Sequence, residues 1–283
     1  MNGFLNIYKP RGMSSAHCLN KIKKKIDYKC GHMGTLDPLA CGILPVGIGQ
    51  ATRLFDHLLE DKRKTYVAEF TFGYETDTLD LEGELLYKSD KIPTLEEINT
   101  VLPTLCGRIM QVPPIFSAKC VDGKKSYKLA RKGIVVELPP KEVEIFYIKL
   151  IGGIAPAYKF EICCGGGTYI RSICRDIAHA LGAYATMTAL ERIESGFFNL
   201  ENCIHLDDFL AHPNPQELII PSDEPLHYEK LVLNQLQATR LLNGLRDPYD
   251  LPDGKYRVYC ESEFWGVGII ESQKLVVKPY VRG

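Results

Sequence analysis

The sequence predicts a strand-rich α+β fold, and three observations support this. Segments rich in β-branched and aromatic residues recur along the first 200 residues, which is typical of strands. Helical patterns between them are few, so strands and helices do not alternate as they do in a parallel βαβ fold. The 283 residues, 45% of them hydrophobic and 24% charged, suffice for one large domain or two unequal ones.

Each element follows from a local pattern. Strands are predicted in order at Gly3–Tyr8, Thr65–Phe72, Gly83–Tyr87, Ile115–Val121, Val143–Leu150, Tyr158–Cys164 and Ala185–Phe198. Helices are predicted at 15–26, 50–59, 95–102, 168–181 and 206–210, where apolar residues recur at helical spacing. Thr94 and Glu97 have the spacing of a capping box before the third helix. The segment 31–49 is dense in Gly and Pro, which predicts an ordered loop.

A proline-rich stretch marks the predicted domain boundary. Residues 212–228 contain four prolines. We therefore predict a main domain over 1–212, a linker over 213–228 and a small β-rich module over 229–283. In the module a helix is predicted near 234–243, and strands near 256–260, 265–270 and 274–277.

Composition excludes several classes of protein. The longest run without a charged residue is 38–52, which is too short to span a membrane, and no long apolar signal segment begins the chain. The cytoplasm is therefore the expected location. The ten cysteines form no C-x-x-C pair and do not have the spacing of a zinc finger. We therefore expect reduced thiols and no bound metal. A phosphate-binding Walker motif is absent, and the Gly-x-Gly pairs lack the third glycine of a dinucleotide site.

The net charge of −1 hides a strong local asymmetry. Residues 1–64 hold 11 Lys and Arg against 5 Asp and Glu, a local charge of +6, which leaves −7 for the rest. A second basic run at 119–132 holds six cations and one Asp, with Tyr127 among them. Clustered cations are typical of a surface that contacts phosphates, although two solvated helix faces would give the same composition.

One loop combines residue types that a simple turn does not need. Residues 31–42 read GHMGTLDPLACG. Pro38 restricts Asp37 to an extended backbone, which gives its side chain a defined direction. An ionised carboxylate beside His32 and an apolar run needs a cationic partner. Arg171 is the expected partner, because its planar guanidinium can bind a carboxylate through two hydrogen bonds. A plain Asp-Pro turn is the alternative.

This loop closely resembles the catalytic motif of the bacterial tRNA pseudouridine-55 synthases, the TruB family. Four further segments resemble the family's motifs in the same order, and the resemblance covers about residues 3 to 198. They are NIYKPRGMSS, KTYVAEFTFGYETDTLDLEG, QVPPIFSAKCVDGKKSYKLARKG and GGGTYIRSICRDIA. The tail resembles a PUA-type RNA-binding module. The resemblance implies the pseudouridine synthase fold, with a mixed, largely antiparallel central sheet flanked by helices and loops, and a tRNA-gripping insertion at about 113–138.

The resemblance also implies the chemistry. The uridine at position 55 of the tRNA T-loop is flipped out, its C1′–N1 bond is cleaved, and uracil is rejoined through C5, with no cofactor or metal. Asp37 is the implied catalytic carboxylate. It can add to C6 of the base, attack C1′ or remove the 2′ proton, and the sequence leaves these three routes open. Arg171 is implied to orient Asp37, and Tyr66 to stack on the base and help remove the C5 proton.

A larger set of residues is implied to contact the substrate. These are His32, Lys9, Asp80, Tyr169, Lys119, Lys124 and Lys125. Among them, His32 would fill the gap left by the flipped base, and Tyr169 would pack beneath that base. The implied partner is the T-arm of tRNA, with no guide RNA and no membrane, and a monomer is expected. One departure from the family is acidic: Glu191 and Glu194 lie where basic residues are common, which puts a phosphate contact on that strand in doubt.

Three other functions compete with this interpretation. A tRNA-binding protein without activity is disfavoured by the presence of Asp37, Tyr66 and Arg171 together. An enzyme of the same fold guided by a partner RNA is disfavoured by the small C-terminal module and the matched insertion. A glycosidase would need a second carboxylate at a matching distance from Asp37, and the sequence nominates none.

Overall fold

The chain forms two compact units in a computed structural model. The model describes residues 1–58, 63–116, 120–121, 124–125, 138–245 and 247–281, with the backbone alone at 120–121, 124–125 and 279–280. The first unit comprises residues 1–37, 43–61 and 196–283. The second comprises residues 38–42 and 62–195.

Eighteen strands are seen in the described residues. In chain order they are β1 (Gly3–Lys9), β2 (Cys30–His32), β3 (Cys41–Ile48), β4 (Lys64–Phe72), β5 (Tyr74–Thr76), β6 (Leu85–Lys88), β7 (Gly107–Gln111), β8 (Cys120–Val121), β9 (Lys124–Lys125), β10 (Lys141–Ile154), β11 (Ala157–Cys164), β12 (Ala185–Ser195), β13 (Phe198–Asn199), β14 (Ile204–His205), β15 (Glu229–Leu233), β16 (Gly254–Cys260), β17 (Glu263–Glu271) and β18 (Lys274–Tyr280).

Six α-helices are seen in the same residues. They are α1 (Ser15–Ile26), α2 (Phe55–Leu58), α3 (Leu95–Val101), α4 (Ile170–Ala180), α5 (Leu206–Ala211) and α6 (Gln235–Leu242). Short 3₁₀ turns occupy Gly49–Leu54, Leu102–Leu105 and Pro215–Leu218. The predicted capping box is confirmed, because the Thr94 side chain accepts from the Glu97 N–H and the Glu97 side chain accepts from the Thr94 N–H.

The first unit is built on strands β14, β1 and β3, hydrogen-bonded in that order, with β2 antiparallel to β3. Ser14 caps α1 by accepting a hydrogen bond from the His17 N–H. Cys18, Ile22 and Ile26 then form the buried stripe of the helix. They share one hydrophobic cluster with residues of β1 and β3, so helix and strands enclose a common core.

A separate four-stranded sheet, β15-β16-β17-β18, forms the C-terminal part of the first unit. Strand β15 pairs in parallel with β16, and the other pairs are antiparallel. Val258, Trp265 and Ile270 belong to its own buried cluster. The predicted β-rich tail is confirmed, with β15 as an additional strand that the sequence patterns did not reveal.

The second unit is organised by an antiparallel sheet in the order β12-β4-β11-β10-β7. Phe70 and Phe160 stack across β4 and β11 with ring centroids 4.8 Å apart. Helix α4 buries Ile170, Ile173 and Ile177. At one end of the sheet, residues 41–42 of β3 pair in parallel with β12. The α+β class with a mixed, largely antiparallel sheet is thus confirmed.

Two sequence-based predictions are wrong. The predicted loop 31–49 contains the eight-residue strand β3, whose residues after Cys41 are all buried. A strand buried on both faces is a continuous apolar run, and here glycine and proline within that run conceal it. Also, the strand predicted at 115–121 is wrong at 115–116, which form no strand, whereas 120–121 form β8 and 117–119 lie outside the described residues.

Candidate active site

Asp37 lies in the loop 33–40 between β2 and β3, here called the Asp37 loop. The residue before it is held by Ser15, whose Oγ donates to the Leu36 carbonyl at 3.0 Å and accepts from the Leu36 N–H at 2.8 Å. The Met33 N–H also donates to the Pro45 carbonyl at 2.8 Å. Ser15, Met33 and Leu36 are buried, whereas Asp37 is half-buried. The backbone that leads into Asp37 is therefore fixed.

His32 and Lys9 lie in the same unit as Asp37. His32 ends β2 opposite Val46 and is half-buried. Lys9 ends β1 and is fully buried, and its Nζ donates to the carbonyls of Met13 at 2.6 Å and Pro10 at 2.9 Å. Lys9 thus has an observed role in shaping the turn at 10–13, and its substrate contact stays a prediction.

Tyr66 belongs to a row of residues in the second unit. It lies on β4, 8% exposed, directly opposite Arg192 of β12 and Ile162 of β11. Arg192 is also opposite Gly42 of β3. Because neighbouring strands lie about 4.8 Å apart, the four residues form one continuous row across the sheet. Arg192 is completely buried in it.

Gly42 is required at its end of the row. Its φ of +103° is unfavourable for a residue with a side chain. A Cβ at this position would lie 2.2 Å from the Arg192 carbonyl oxygen, far inside van der Waals contact. Since Gly42 follows Asp37 by only five residues, the chain that leaves the Asp37 loop is locked against β12 at Arg192.

The row carries concentrated positive charge. Lys64 is two residues before Tyr66 on β4 and therefore projects from the same face of the sheet. Burial lowers the pKa of its ammonium to about 8, and the Arg192 charge adds to this effect. Burial also raises the pKa of the neighbouring Cys164 thiol to about 12, so the thiol brings no negative charge at neutral pH.

The two acidic residues of β12 lie on the other face. Glu191 is opposite Val67 and Glu194 is opposite Thr65, which are odd-numbered positions of β4. Thr65 Oγ1 donates to the Glu194 carboxylate at 3.0 Å. Glu191 is adjacent to Arg192 and so lies on the opposite face, and a register shift between Arg192 and Glu194 pairs Glu194 with Thr65 rather than with a residue on the face of Tyr66. The acidic departure from the family therefore does not affect the charge of that row.

Asp80 and Arg171 form a buried ion pair within the second unit. The Asp80 Oδ2 and Arg171 Nη1 atoms are 3.2 Å apart, and the side chains are 6% and 7% exposed. Arg171 Nη1 also donates to the Thr78 carbonyl at 3.0 Å, and Nη2 donates to the Phe116 carbonyl at 3.2 Å. The guanidinium thus joins helix α4 to two loops. Its predicted pairing with Asp37 stays a prediction.

The loop 77–84 between β5 and β6, here called the Asp80 loop, is closed by its own side chains. Asp80 Oδ1 accepts from Thr78 Oγ1 at 2.6 Å and from the Glu82 N–H at 3.0 Å. Asp77 Oδ1 accepts from the Glu84 N–H at 2.8 Å. A Cβ on Gly83 would lie 2.3 Å from both Asp77 Oδ1 and Thr78 Oγ1, so only glycine fits there.

Tyr169 precedes α4 and is half-buried, and its backbone is bonded to the side chain of Gln111. The cations predicted in the insertion are less fully described. Lys119 lies outside the described residues. Lys124 and Lys125 form β9, antiparallel to β8, and their side chains also lie outside the description.

Three residues with evident roles were missed in the sequence. Gln111, Thr78 and Arg192 each contribute a polar group to the arrangement above. A signal existed for Gln111 and Arg192, since each is a long polar side chain next to strand-forming residues. For Thr78 no signal existed, because its contact is made by the backbone carbonyl, which residue type does not reveal.

The described ranges contain neither a candidate metal site nor a helix that could span a membrane. No group of three or more His, Cys, Asp or Glu side chains that could hold a metal ion occurs there. In the same ranges no helix is long and apolar enough to cross a membrane.

The chain matches two family models and a set of named relatives. The family model "TruB family pseudouridylate synthase (N terminal domain)" matches residues 20–170, and "tRNA pseudouridylate synthase B C-terminal domain" matches 171–227. A protein of Clostridium novyi called tRNA pseudouridine synthase B is 42% identical over 287 residues, covering 98% of this chain and 99% of its own. Its namesake from Alkaliphilus oremlandii is 38% identical over 283 residues, covering 96% and 94%.

A solved structure has the same fold. In the crystal structure of a Cbf5-Nop10-Gar1 complex, one chain superposes with a TM-score of 0.72 at 24% identity, covering 98% of this chain and 84% of that one. At this level of identity the likeness concerns the fold alone. The family models and the near-full-length relatives carry the assignment, and they establish that the chain belongs to the TruB family of pseudouridylate synthases.

Proposed function

We propose that the chain isomerises the uridine at position 55 of the tRNA T-loop to pseudouridine in the cytoplasm. The tRNA substrate is supported by the relatives named tRNA pseudouridine synthase B. The observation that carries the proposal is the fixed approach to Asp37. Ser15 holds the residue before it, and Gly42 locks the following strand into the row that contains Tyr66.

The proposed reaction balances without an external reagent. The C1′–N1 bond of the uridine breaks, uracil turns, and a C1′–C5 bond forms. The C5 proton leaves, and N1 takes up a proton from solvent. Asp37 supplies the carboxylate for the first step, by addition to C6, attack on C1′ or removal of the 2′ proton. Neither a cofactor nor a metal is part of the proposal.

Two residues of the second unit are proposed to act with Asp37. Tyr66 stacks on the flipped base, and its hydroxyl helps remove the C5 proton. Arg171 orients the Asp37 carboxylate. A planar guanidinium can bind a carboxylate through two parallel hydrogen bonds, which supports this role.

The remaining residues are proposed to bind RNA. Flipping a base costs a few kcal/mol, and His32 offsets part of this by filling the gap it leaves. Tyr169 packs beneath the base. Lys9 and Asp80 support the site, and the cations of the insertion contact T-arm phosphates. These cations are Lys119, Lys124 and Lys125.

The domain organisation is part of the same proposal. Residues 1–212 form the catalytic domain, residues 213–228 form a linker, and residues 229–283 form a PUA-like module that adds RNA affinity. The separate sheet β15–β18 with its own buried cluster supports such a module. The chain is proposed to act as a monomer that needs no guide RNA.

The test uses the purified chain and an unmodified tRNA transcript, with no other protein or RNA. After digestion, nucleoside chromatography is expected to show one pseudouridine per tRNA. A transcript with cytidine at position 55 is the control and is expected to give none. Equal product from both transcripts would contradict the T-loop position, and no product from either would overturn the proposed activity.

A further inference from the structure

We propose that Gln111 is a positioning residue, which fixes Tyr169 and thereby the start of the helix that carries Arg171. The inference rests on the proposed function of those two residues. Gln111 ends β7 and is 1% exposed. Its amide makes two hydrogen bonds to one residue: Oε1 accepts from the Tyr169 N–H at 2.9 Å, and Nε2 donates to the Tyr169 carbonyl at 3.2 Å.

This paired contact requires a primary amide of this length. The Tyr169 N–H can only donate and its carbonyl can only accept, so the opposing group must offer one acceptor and one donor side by side. A glutamine amide offers both, whereas an ionised carboxylate offers only acceptors. Asparagine has the same amide on a side chain shorter by one methylene group. Since Gln111 is buried, water cannot replace a lost bond without rearrangement.

The contact falls at the point where α4 begins. Tyr169 is the N-cap, with an extended backbone at φ −104° and ψ 113°, and its own side chain makes no capping hydrogen bond. Its carbonyl also accepts from the Ile173 N–H at 3.1 Å, the first bond of the helix. Gln111 therefore fixes the backbone of the N-cap residue itself. Arg171 is the second helical residue, so an error at the N-cap moves its guanidinium directly.

The chain beyond Gln111 stays bonded to the same helix turn. The Val112 carbonyl accepts from Ser172 Oγ at 2.9 Å and from Arg175 Nη2 at 3.1 Å. The Phe116 carbonyl accepts from Arg171 Nη2 at 3.2 Å. Gln111 thus begins a series of contacts that ends on the Arg171 guanidinium. It determines the register in which strand β7 and helix α4 meet.

The experiment compares Gln111→Glu and Gln111→Leu with wild type by single-turnover pseudouridine formation at pH 6 and pH 8. At pH 8 both variants are expected to lose about 100-fold in rate, because Arg171 is misplaced. Burial raises the pKa of the introduced Glu, so lowering the pH protonates it. The protonated carboxyl then supplies the donor that the Tyr169 carbonyl lacks in the ionised form. The Glu variant is therefore expected to recover about tenfold at pH 6 relative to wild type, and the Leu variant is expected not to recover. The Kd for tRNA is expected to stay near wild type.

Hydrogen exchange of the Tyr169 amide supplies a readout that does not depend on turnover. It is expected to be about tenfold faster in Gln111→Leu than in wild type. Faster exchange with an unchanged rate of turnover would overturn the inference, since Gln111 would then be structural only. Equal behaviour of the Glu and Leu variants at both pH values would also overturn it. A wild-type chain that forms no pseudouridine, while its Tyr169 amide is protected, would overturn the proposed function instead.

Discussion

The molecule carries two aspartates in loops that are held in different ways. In the Asp80 loop the carboxylate itself closes the structure, since Oδ1 accepts two hydrogen bonds and Oδ2 pairs with Arg171. In the Asp37 loop the described contacts that fix the chain fall on the backbone of Leu36 and Met33. Asp80 is buried, whereas Asp37 is half-buried.

Under the proposed function, the difference separates a structural carboxylate, Asp80, from a reactive one, Asp37. A carboxylate that closes a loop cannot be changed without loss of stability, because its partners are left buried and unsatisfied. A loop fixed through its backbone can present a side chain for chemistry at little cost to the fold. The comparison predicts that a change at Asp80 costs more stability than a change at Asp37, and that both changes lower turnover.

The largest effect on stability is expected from Asp80→Asn. The buried Arg171 guanidinium would lose its opposing charge, which lowers the free energy of unfolding by about 3–5 kcal/mol. The rate of pseudouridine formation is also expected to fall by about 100-fold, because Arg171 shifts. Urea denaturation and single-turnover kinetics measure the two quantities.

Asp77→Asn is the matched control in the same loop. The Asn amide oxygen can still accept the hydrogen bond from the Glu84 N–H, so both quantities are expected to stay close to wild type. Equal stability of the Asp77 and Asp80 variants would remove the structural role given to the ion pair.

A smaller effect is expected from Ser15→Ala, which removes the side chain that holds Leu36. The Leu36 N–H and carbonyl would be left buried and unpaired, at a cost of about 1–3 kcal/mol in unfolding free energy. Turnover is expected to fall as well, because the backbone that leads into Asp37 loosens. Thermal denaturation and initial rates provide the measurements.

The neighbouring Ser14→Ala is the control. It removes the cap of α1, at a cost of about 1 kcal/mol, without touching the Asp37 loop. Its turnover per folded molecule is expected to match wild type. If Ser14→Ala and Ser15→Ala lowered turnover equally, general instability rather than loop geometry would be responsible.

Much of the fold could be predicted from local patterns. The Thr94 capping box, the cap at Ser14 and the strand at 65–72 follow from residue types within a few positions. Strand β3 could not be predicted, because glycine and proline within a strand are read locally as a loop. Gly42 is needed there because its φ is positive and because the Arg192 backbone, 150 positions along the chain, approaches it so closely.

The sequence nominates residues for the candidate site but does not give their contacts. The motifs contain Asp80 and Arg171 separately, and the pairing of Arg171 with Asp37 stays a prediction. The structure pairs Arg171 with Asp80 within the second unit. Several carboxylates could satisfy one guanidinium by charge alone, so residue type does not identify the partner. The role of Gln111 could not be predicted either, because its partner is the backbone of Tyr169, which residue type does not reveal.

The central claim is that the Asp37 carboxylate carries out the isomerisation. The most direct measurement is tritium release from a T-arm stem-loop labelled at C5 of uridine, with wild type and Asp37→Asn at equal folded concentration. Wild type is expected to release tritium, while Asp37→Asn is expected to release at least about 10⁴-fold less. Release by Asp37→Asn within tenfold of the wild-type rate would contradict the account.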